Sequence, residues 1–329
     1  MKTRLARQLD VLALRHLVTE GAVIIAPSQL EDGRGVLVST LLPGAERSWV
    51  AEDGLGIGGF VQARPRKYVL GWEVTRAHVR RDSDAEAVVA VLVQEILQFL
   101  QDRGIPRLFA RVPDDSPGHD VLVACGFTQL LSETIFIRDP EQARPPDETP
   151  VGMRYRMPQD AWPLRQLENS QTPLLISQLE GLTSSSWSMP AHRILRKGET
   201  NELVVERDGD IVGWVGWSYT RSSQAGRDQV RLGLMTGTDH IDLAAPLLDY
   251  ALYVIGSKRP GADVILRLRD YQTPLMQTLF DRDFREVGHD TLFIKHGRLQ
   301  TVAKRIGKLF ELAPTVHAFS LEPVRKPAH

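Results

Sequence analysis

Two arginines stand immediately before the longest predicted helix of the chain. Residues 84–103 carry apolar side chains at helical spacing, and Gly104 supplies the stop. The segment in front of that helix, residues 79–85, reads VRRDSDA. A helix N-terminus presents unpaired N–H donors and a partial positive charge, and Arg80 and Arg81 would add full positive charges. This segment therefore predicts an anion-binding turn.

A second segment of the same kind precedes another predicted helix, over residues 242–255. Residues 236–241 read TGTDHI, with one glycine and no arginine. The imidazole of His240 could meet a phosphate there, although an exposed loop histidine is the simpler interpretation. Of the two turns, the arginine-bearing one at residues 79–85 is the stronger anion-site candidate.

The two turns belong to two copies of one longer pattern. Residues 10–17 and 160–167 share Asp, Leu, Arg and Leu at the same spacing. Residues 133–138 (ETIFIR) are echoed by residues 290–295 (DTLFIK). The offset drifts from 150 to 157, which is the size of a whole domain rather than of a solenoid repeat. The sequence therefore predicts two versions of one fold.

Each copy predicts the same order of elements. A strand comes first, then a helix, a three-stranded meander, the long helix, a strand, a short helix and a last strand. In the first copy Asp10 would cap a helix whose apolar Leu12, Leu14 and Leu17 face inward. The pair Asp53-Gly54 between β-rich runs predicts a hairpin.

The copies define a domain organisation with four parts. Residues 1–139 form the first domain and residues 153–297 the second. Residues 140–152 lie between them and are proline-rich without periodicity, which is typical of a linker. Residues 298–329 begin with an apolar stripe on a basic helix, which favours an amphipathic helix packed on the second domain over one lying on a membrane surface.

The composition excludes several classes of function. Forty basic and 41 acidic residues leave a formal charge of −1, which disfavours a nucleic-acid or anionic-membrane partner. Cys125 is the only cysteine, so the chain has no disulfide framework and no cysteine-based metal site. No apolar stretch approaches the roughly 20 residues needed to cross a bilayer. We expect a cytoplasmic protein without a bound metal.

The element order resembles that of the GNAT acyltransferase superfamily, once per copy. The resemblance implies a mixed α/β fold: two tandem GNAT-like domains, each with a mixed, mostly antiparallel twisted sheet flanked by helices. In that superfamily the turn before the long helix holds the pyrophosphate of acetyl-CoA through its backbone N–H groups. The first copy keeps the leading Arg and the final Ala of the family pattern, with Ser83 in place of the central Gly.

The resemblance thereby assigns acetyl-CoA binding to the first copy. The six residues implied are Val79, Arg80, Arg81, Ser83, Asp84 and Ala85. Asp82 and Asp84 place carboxylates beside the expected pyrophosphate, although Asp84 also suits a helix cap. The family's general acid, a Tyr four residues before a Gly-Phe pair, is replaced by Leu122 and Leu279.

The remaining catalytic candidate is a base on the fourth strand. Glu73 lies on that strand in the first copy, where the alternative is a solvated strand carboxylate. Strand alternation places Thr75 and Ala77 on its face and His78 on the opposite face. The second-copy counterpart falls near Gln229, which cannot take a proton.

A crowd of aromatic residues marks the third strand of the second copy. Trp214, Trp217 and Tyr219 fall within six residues of one another. They form either sheet packing or the wall of a substrate pocket, with packing favoured.

The function these observations indicate is acyl-CoA-dependent N-acyl transfer to a small-molecule amine. Such transfer requires the thioester to be polarised, the amine to lose a proton, and the two to be held in line. The alternative is a GNAT-like scaffold or ligand-binding protein that has lost transfer activity, which the missing Tyr favours. No motif names the acceptor or the oligomeric state.

Overall fold

The structure is a computed structural model, and it describes residues 1–26, 46–66, 69–139, 145–146, 148–181, 187, 201–221 and 228–297. The predicted helix after residue 298 and part of the predicted linker lie outside the described residues. Within the remainder, the mixed α/β architecture expected from the sequence is confirmed.

The first half follows the predicted order and adds one strand. Its strands are β1 (Lys2–Leu5), β2 (Ala22–Ile25), β3 (Arg47–Asp53), β4 (Gly56–Pro65), β5 (Trp72–Val79), β6 (Arg107–Pro113) and β7 (Thr128–Arg138). Its helices are α1 (Val11–Glu20), α2 (Ala85–Gln101) and α3 (Gly118–Ala124). The sequence did not predict β2, which lies in a region without a readable pattern.

The second half repeats the order. Its strands are β8 (Met153–Tyr155), β9 (Glu202–Arg207), β10 (Asp210–Arg221), β11 (Asp228–Thr236), β12 (Asp263–Arg269) and β13 (Arg285–His296). Its helices are α4 (Ala161–Gln171), α5 (Leu174–Glu180), α6 (Ala244–Lys258) and α7 (Met276–Phe280). Asp208 and Gly209 both have positive φ at the β9–β10 turn, as an Asp-Gly hairpin requires.

Both copies use one identical ion-pair motif at their start, which accounts for the repeated aspartate. Arg4 reaches Asp10 at 2.6 Å and also pairs with Glu52. In the second copy Arg154 reaches Asp160 at 2.7 Å and Glu206 at 2.8 Å. The motif ties the first strand to the first helix and to the meander.

The first helix of the first copy packs only in part as predicted. Leu14 and Leu17 are buried against Val50 and Phe60. Leu12 is exposed, so its inward placement was wrong. Leu12 lies two residues from Leu14, and neighbours two apart on a helix point about 200° apart, so both cannot face one core.

The two copies share a single sheet through an exchange of their last strands. The strand order is β1-β3-β4-β5-β6-β13-β7-β12-β11-β10-β9-β8. β13, from the second copy, pairs antiparallel with β6 of the first. β7, from the first copy, pairs antiparallel with β12 of the second. Each half therefore completes its sheet with a strand from the other.

This exchange makes residues Met1–Gly297 one compact unit. The boundary between residues 139 and 153 separates the two copies along the chain, and we keep it as a proposal about their origin. Each copy retains its own main core beneath its long helix: α2 covers one half of the sheet and α6 the other.

Candidate active site

The parallel strands β5 and β6 of the first copy separate halfway along their length. They pair only over Trp72–Val74 of β5, opposite Leu108–Ala110 of β6. The rest of β5 diverges from β6 and leaves one backbone edge without that partner. Such an edge can receive another extended segment by backbone hydrogen bonding.

In the first copy β2 takes this edge. Ala22, Val23 and Ile25 pair with Val79, His78 and Ala77, the last residues of β5. Ile24 and Ile25 are buried in the core beneath α2. Gly118 of α3 lies so close that a Cβ there would stand 2.1 Å from the Ile24 carbonyl oxygen. The split of the first copy is filled by the chain itself.

The turn before α2 is engaged in internal contacts. Arg80 pairs with Asp53 at 2.9 Å and with Asp82 at 2.5 Å. Arg81 donates from Nε to the Glu20 carbonyl oxygen at 2.9 Å. Both predicted cationic groups thus already bind groups of the protein.

The helix end itself is capped by a carboxylate. Asp84 accepts a hydrogen bond from the Ala87 N–H at 3.1 Å, which uses one of the free donors of α2. Val79 pairs with β2 and Ala85 begins the helix, while Ser83 donates its N–H to the Arg80 carbonyl oxygen. The assignment of the pyrophosphate to residues 79–85 stays a prediction, and these contacts count against it.

The predicted faces of Ala77 and His78 on β5 were wrong because the strand contains a bulge. The pairing of β4 with β5 shifts so that Thr75 is left over between Val74 and Arg76. Ala77 therefore lies in the core with Val74, and His78 returns to the face that bears Glu73. His78 stacks on Phe60 with centroids 5.2 Å apart.

His78 has a structural environment. Its side chain is buried, and that burial, together with the charge of Arg76, lowers the pKa of His78 to about 4. The imidazole is neutral at pH 7 and packs as an aromatic ring.

Glu73 is buried and ion-paired rather than solvated. Its Oε1 accepts from Arg111 Nη1 at 3.0 Å. The role of Glu73 as a base stays a prediction. Its pairing with Arg111 makes it part of a cluster of charged side chains, a separate unit from the turn before α2. That unit, here called the seam cluster, lies where the two copies meet. Its members are Glu73, Arg111, Glu133, Arg267, Arg269 and Asp290.

The seam cluster contains the same kind of ion pair twice, once from each copy. Arg111 reaches Glu133 at 2.8 Å, and Arg267 reaches Asp290 at 2.6 Å, with Glu133 and Asp290 opposite each other in the β7–β13 register. Burial opposes ionisation of Glu133, but Arg111, Arg269 and Arg267 outweigh it and lower its pKa to about 2. Burial raises the pKa of Asp290, against the charge of Arg267.

The second copy has the same split without a strand in it among the described residues. β11 and β12 pair over only four positions, from Gln229 opposite Asp263 to Leu232 opposite Leu266. No other described strand pairs with Gly233 to Thr236 on that edge. Where the first copy places β2 after α1, the second copy has Pro173 and then α5. Proline cannot donate to a ladder, which disfavours an equivalent strand.

The turn before α6 lines a cavity. Gly237 takes the N-cap position of the 3-10 segment that leads into α6, and it brings no capping side chain. A cavity of about 390 Å³ is formed there by α4, β10 and the turn; its lining includes Gln166, Ser170, Asp210, Gly237, Asp239 and His240. Arg207 approaches His240 at 3.2 Å and Asp242 at 3.5 Å. The N–H donors of this helix start are thus not used by a cap.

The positions of the family's general acid are apolar core positions. Leu122 and Leu279 are both fully buried, in the cores beneath α2 and α6. Tyr271, near the second position, accepts from Arg269 at 2.8 Å through its hydroxyl. Neither leucine can deliver a proton.

Two of the aromatic residues of β10 pack against the sheet, as favoured from the sequence, and a role in a substrate pocket stays a prediction. Trp217 is buried in the core beneath α6, which is packing. Trp214 lies on the other face with Trp187, at a centroid distance of 5.1 Å and an angle of 82°. Trp214 and Trp217 line a cavity of about 270 Å³ between β9, β10 and β11.

The described residues contain no group of three or more His, Cys, Asp or Glu side chains that could hold a metal ion. Across the same part of the chain, every helix is too short or too polar to span a bilayer.

Comparison with known proteins places the fold. No protein-family model matches the chain, and no curated protein matches it either. Among solved structures, a GCN5-related N-acetyltransferase from Sphaerobacter thermophilus aligns with a TM-score of 0.60 at 17% identity, covering 90% of this chain and 96% of that one. A tandem GNAT protein from the clavulanic acid biosynthesis pathway aligns with a TM-score of 0.57 at 14% identity, covering 90% and 98%. The chain therefore has the tandem fold of the GNAT N-acetyltransferases, as the element order predicted.

Proposed function

We propose that this protein is an acyl-CoA-dependent N-acyltransferase whose acyl-CoA site lies in the second copy. The observation that carries the proposal is the contrast between the two strand splits. β2 fills the first, whereas the described residues leave the β11 edge of the second without a strand. An extended amide-bearing chain such as the pantetheine arm of CoA can pair with such an edge.

The turn before α6 would supply the N–H donors for the pyrophosphate of the acyl-CoA. Gly237 allows close approach to the backbone, and the N–H groups that follow carry the partial positive charge of a helix N-terminus. Asp210 and Asp239 also line this cavity, so their charges oppose a pyrophosphate. We therefore expect an affinity for acyl-CoA that is modest and that depends on Arg207.

Catalysis in this proposal relies on positioning. The acyl thioester supplies the electrophilic carbon, and the split brings it to the face of β11 where an amine can attack. With Leu279 at the position of the family's acid, the departing thiolate receives no proton from α7. We expect slow transfer whose rate rises with the fraction of unprotonated amine.

Matched substitutions at the two turns test the location. Gly237→Asp adds a carboxylate to the second turn, and Ser83→Asp adds one to the first. We expect Gly237→Asp to weaken binding of CoA at least tenfold in isothermal titration calorimetry, and Ser83→Asp to leave it unchanged. The opposite result would place the site in the first copy, as the sequence predicted.

Transfer is tested separately, by release of free CoA thiol from acetyl-CoA in the presence of an amine panel. CoA at 100 times its dissociation constant should also stabilise the fold by about 2.7 kcal/mol. Absence of both CoA binding and thiol release would leave the alternative function, a scaffold on an acyltransferase frame. The buried Leu122 and Leu279 are the observation that favours that alternative.

A further inference from the structure

One buried hydrogen-bond donor lies in the core beneath α6 without an acceptor. Trp217 of β10 is 5% exposed, and its ring packs in that core. Among the described residues, no group accepts a hydrogen bond from its indole N–H. Burying a donor without an acceptor destabilises a fold, and nearly all buried donors in native proteins are paired. This N–H therefore needs an explanation.

Trp217 lies level with the point where the split of the second copy opens. It is opposite Leu232 in the β10–β11 pairing, and Leu232 is the last residue of β11 that pairs with β12. Leu232 and its β12 partner Leu266 pack in the same core as Trp217. The three side chains therefore share one face of the sheet. Since neighbouring strands are about 4.8 Å apart, Trp217 is one strand away from the edge of β11 that borders the split.

The equivalent position of the first copy holds an alanine. Ala63 is opposite Val74, and Val74 is the last residue of β5 that pairs with β6. Ala63 is fully buried in the core beneath α2, where Ile24 and Ile25 of β2 also pack. The copy whose split is filled by β2 thus has a methyl group where the other copy has an indole.

The need to fill space accounts for the size of Trp217 but not for its N–H. A phenylalanine or a leucine would fill such a core without burying a polar group. The hydroxyl of Tyr219 is the other buried group of β10 that has no partner among the described residues. Tyr219 is opposite Val230, inside the part of β11 that pairs with β12, so it lies away from the split. Of the two groups, the indole N–H is the one level with the split.

We propose that the indole N–H of Trp217 donates to the thioester carbonyl oxygen of the acyl-CoA. This assignment deepens the proposed function and rests on it. When the amine attacks, a C–N bond forms and the carbonyl electron pair moves to that oxygen. The C–S bond breaks as the pair returns, the thiolate leaves, and the ammonium proton passes to solvent. A fixed N–H donor stabilises the negative charge that develops on the oxygen.

Two ligands that differ in the carbonyl test the assignment. Acetyl-CoA and S-ethyl-CoA, which has a methylene in place of the carbonyl, are titrated by calorimetry without an amine. We expect the wild-type protein to prefer acetyl-CoA about tenfold, roughly the effect of one hydrogen bond to a buried donor. Trp217→Phe should lose that preference. Trp72→Phe, the same change at a buried tryptophan in the core beneath α2, is the matched control and should keep it.

The outcomes separate this assignment from the proposed function. If both ligands bind and Trp217→Phe leaves their relative affinity unchanged, the assignment is overturned and the acyl-CoA site stands. Equal weakening of both ligands in Trp217→Phe would mean that the N–H binds another oxygen of CoA, which also overturns the assignment. If neither ligand binds the wild-type protein, the proposed function is overturned and this assignment falls with it.

The wild-type protein provides a second measurement, which holds even if Trp217→Phe does not fold. An indole N–H that gains an acceptor moves downfield in a ¹H–¹⁵N spectrum. We expect one of the six tryptophan indole signals to move in this way with acetyl-CoA and to stay in place with S-ethyl-CoA. Indole signals that respond alike to the two ligands would contradict the assignment.

Discussion

The two copies of this fold have the same strand split, but they differ in what occupies it. Each has a split between the strand that precedes its long helix and the strand that follows it. The first copy closes the split with β2 and caps its turn with Asp84. The second copy has an uncapped turn and, within the described residues, no strand in the split. The comparison shows that one copy fills its split with its own strand, whereas the described residues of the other copy do not.

The seam cluster offers the strongest test, since it joins the copies. Glu133→Gln would leave Arg111, Arg267 and Arg269 without their shared carboxylate, at a buried position. Breaking a buried pair in this way costs about 3–5 kcal/mol. We expect a loss of that size in urea-induced unfolding. Asp290→Asn is the matched change in the other copy and should cost less, because burial already disfavours its charged form.

The same carboxylate predicts a pH dependence. The pKa of Glu133 is lowered from 4.5 to about 2 in the folded protein. Its contribution to the free energy of unfolding is therefore present above pH 4.5 and is lost as the pH falls toward 2. Chemical denaturation at several pH values should show this loss in the wild-type protein and a smaller one in Glu133→Gln. Identical pH profiles would show that folding does not lower the pKa of Glu133.

Because β2 fills the split of the first copy, substitutions at its buried and exposed residues should differ in their effect on stability. Ile25 is buried and Val23 is 46% exposed, although both belong to β2. Ile25→Asp should destabilise the protein by about 3 kcal/mol or more, because it buries a charge in the core. Val23→Asp should change the free energy of unfolding by less than about 1 kcal/mol. Similar costs at both positions would mean that β2 does not enter the core.

The smallest expected effect comes from the helix cap. Asp84→Ala should cost about 1 kcal/mol, since it removes the acceptor of the Ala87 N–H. It should leave CoA affinity unchanged if the first turn has only a structural role. Tighter CoA binding in this variant would instead show that Asp84 blocks a functional anion site. The acyl-CoA site would then lie in the first copy.

The sequence predicted most elements of both copies correctly because their signals are local. The hairpin after Asp53, whose turn residues are Gly54 and Leu55, and the periodicity of α2 are examples, and each depends on neighbouring residues only. β2 escaped prediction because its four-residue apolar run fits a buried strand or part of a helix equally, and it has no alternation to distinguish them. The bulge at Thr75 escaped for a related reason: it depends on how β4 pairs with β5, and a shift of one residue reverses every later side chain.

The fold is confirmed, whereas the location of the site stays a prediction. The turn at residues 79–85 has the more favourable composition, yet its two arginines already bind Asp53, Asp82 and the Glu20 carbonyl. Spacing along the chain cannot show which partner a charged side chain will reach. The cavity beside Trp214 was foreseen only as one of two interpretations, because Gly216 and Gly233 meet under the ring through strand pairing.

The amino-acid sequence by itself determined that this chain carries one fold twice, since repeated aspartates, turns and apolar periods are written in short stretches. Only the tertiary structure decided that the halves exchange their last strands, that Glu73 joins the seam cluster, and that the first split is filled. Those outcomes depend on contacts between residues far apart in the chain. Such contacts form where burial and charge pairing are satisfied together, which no local pattern specifies.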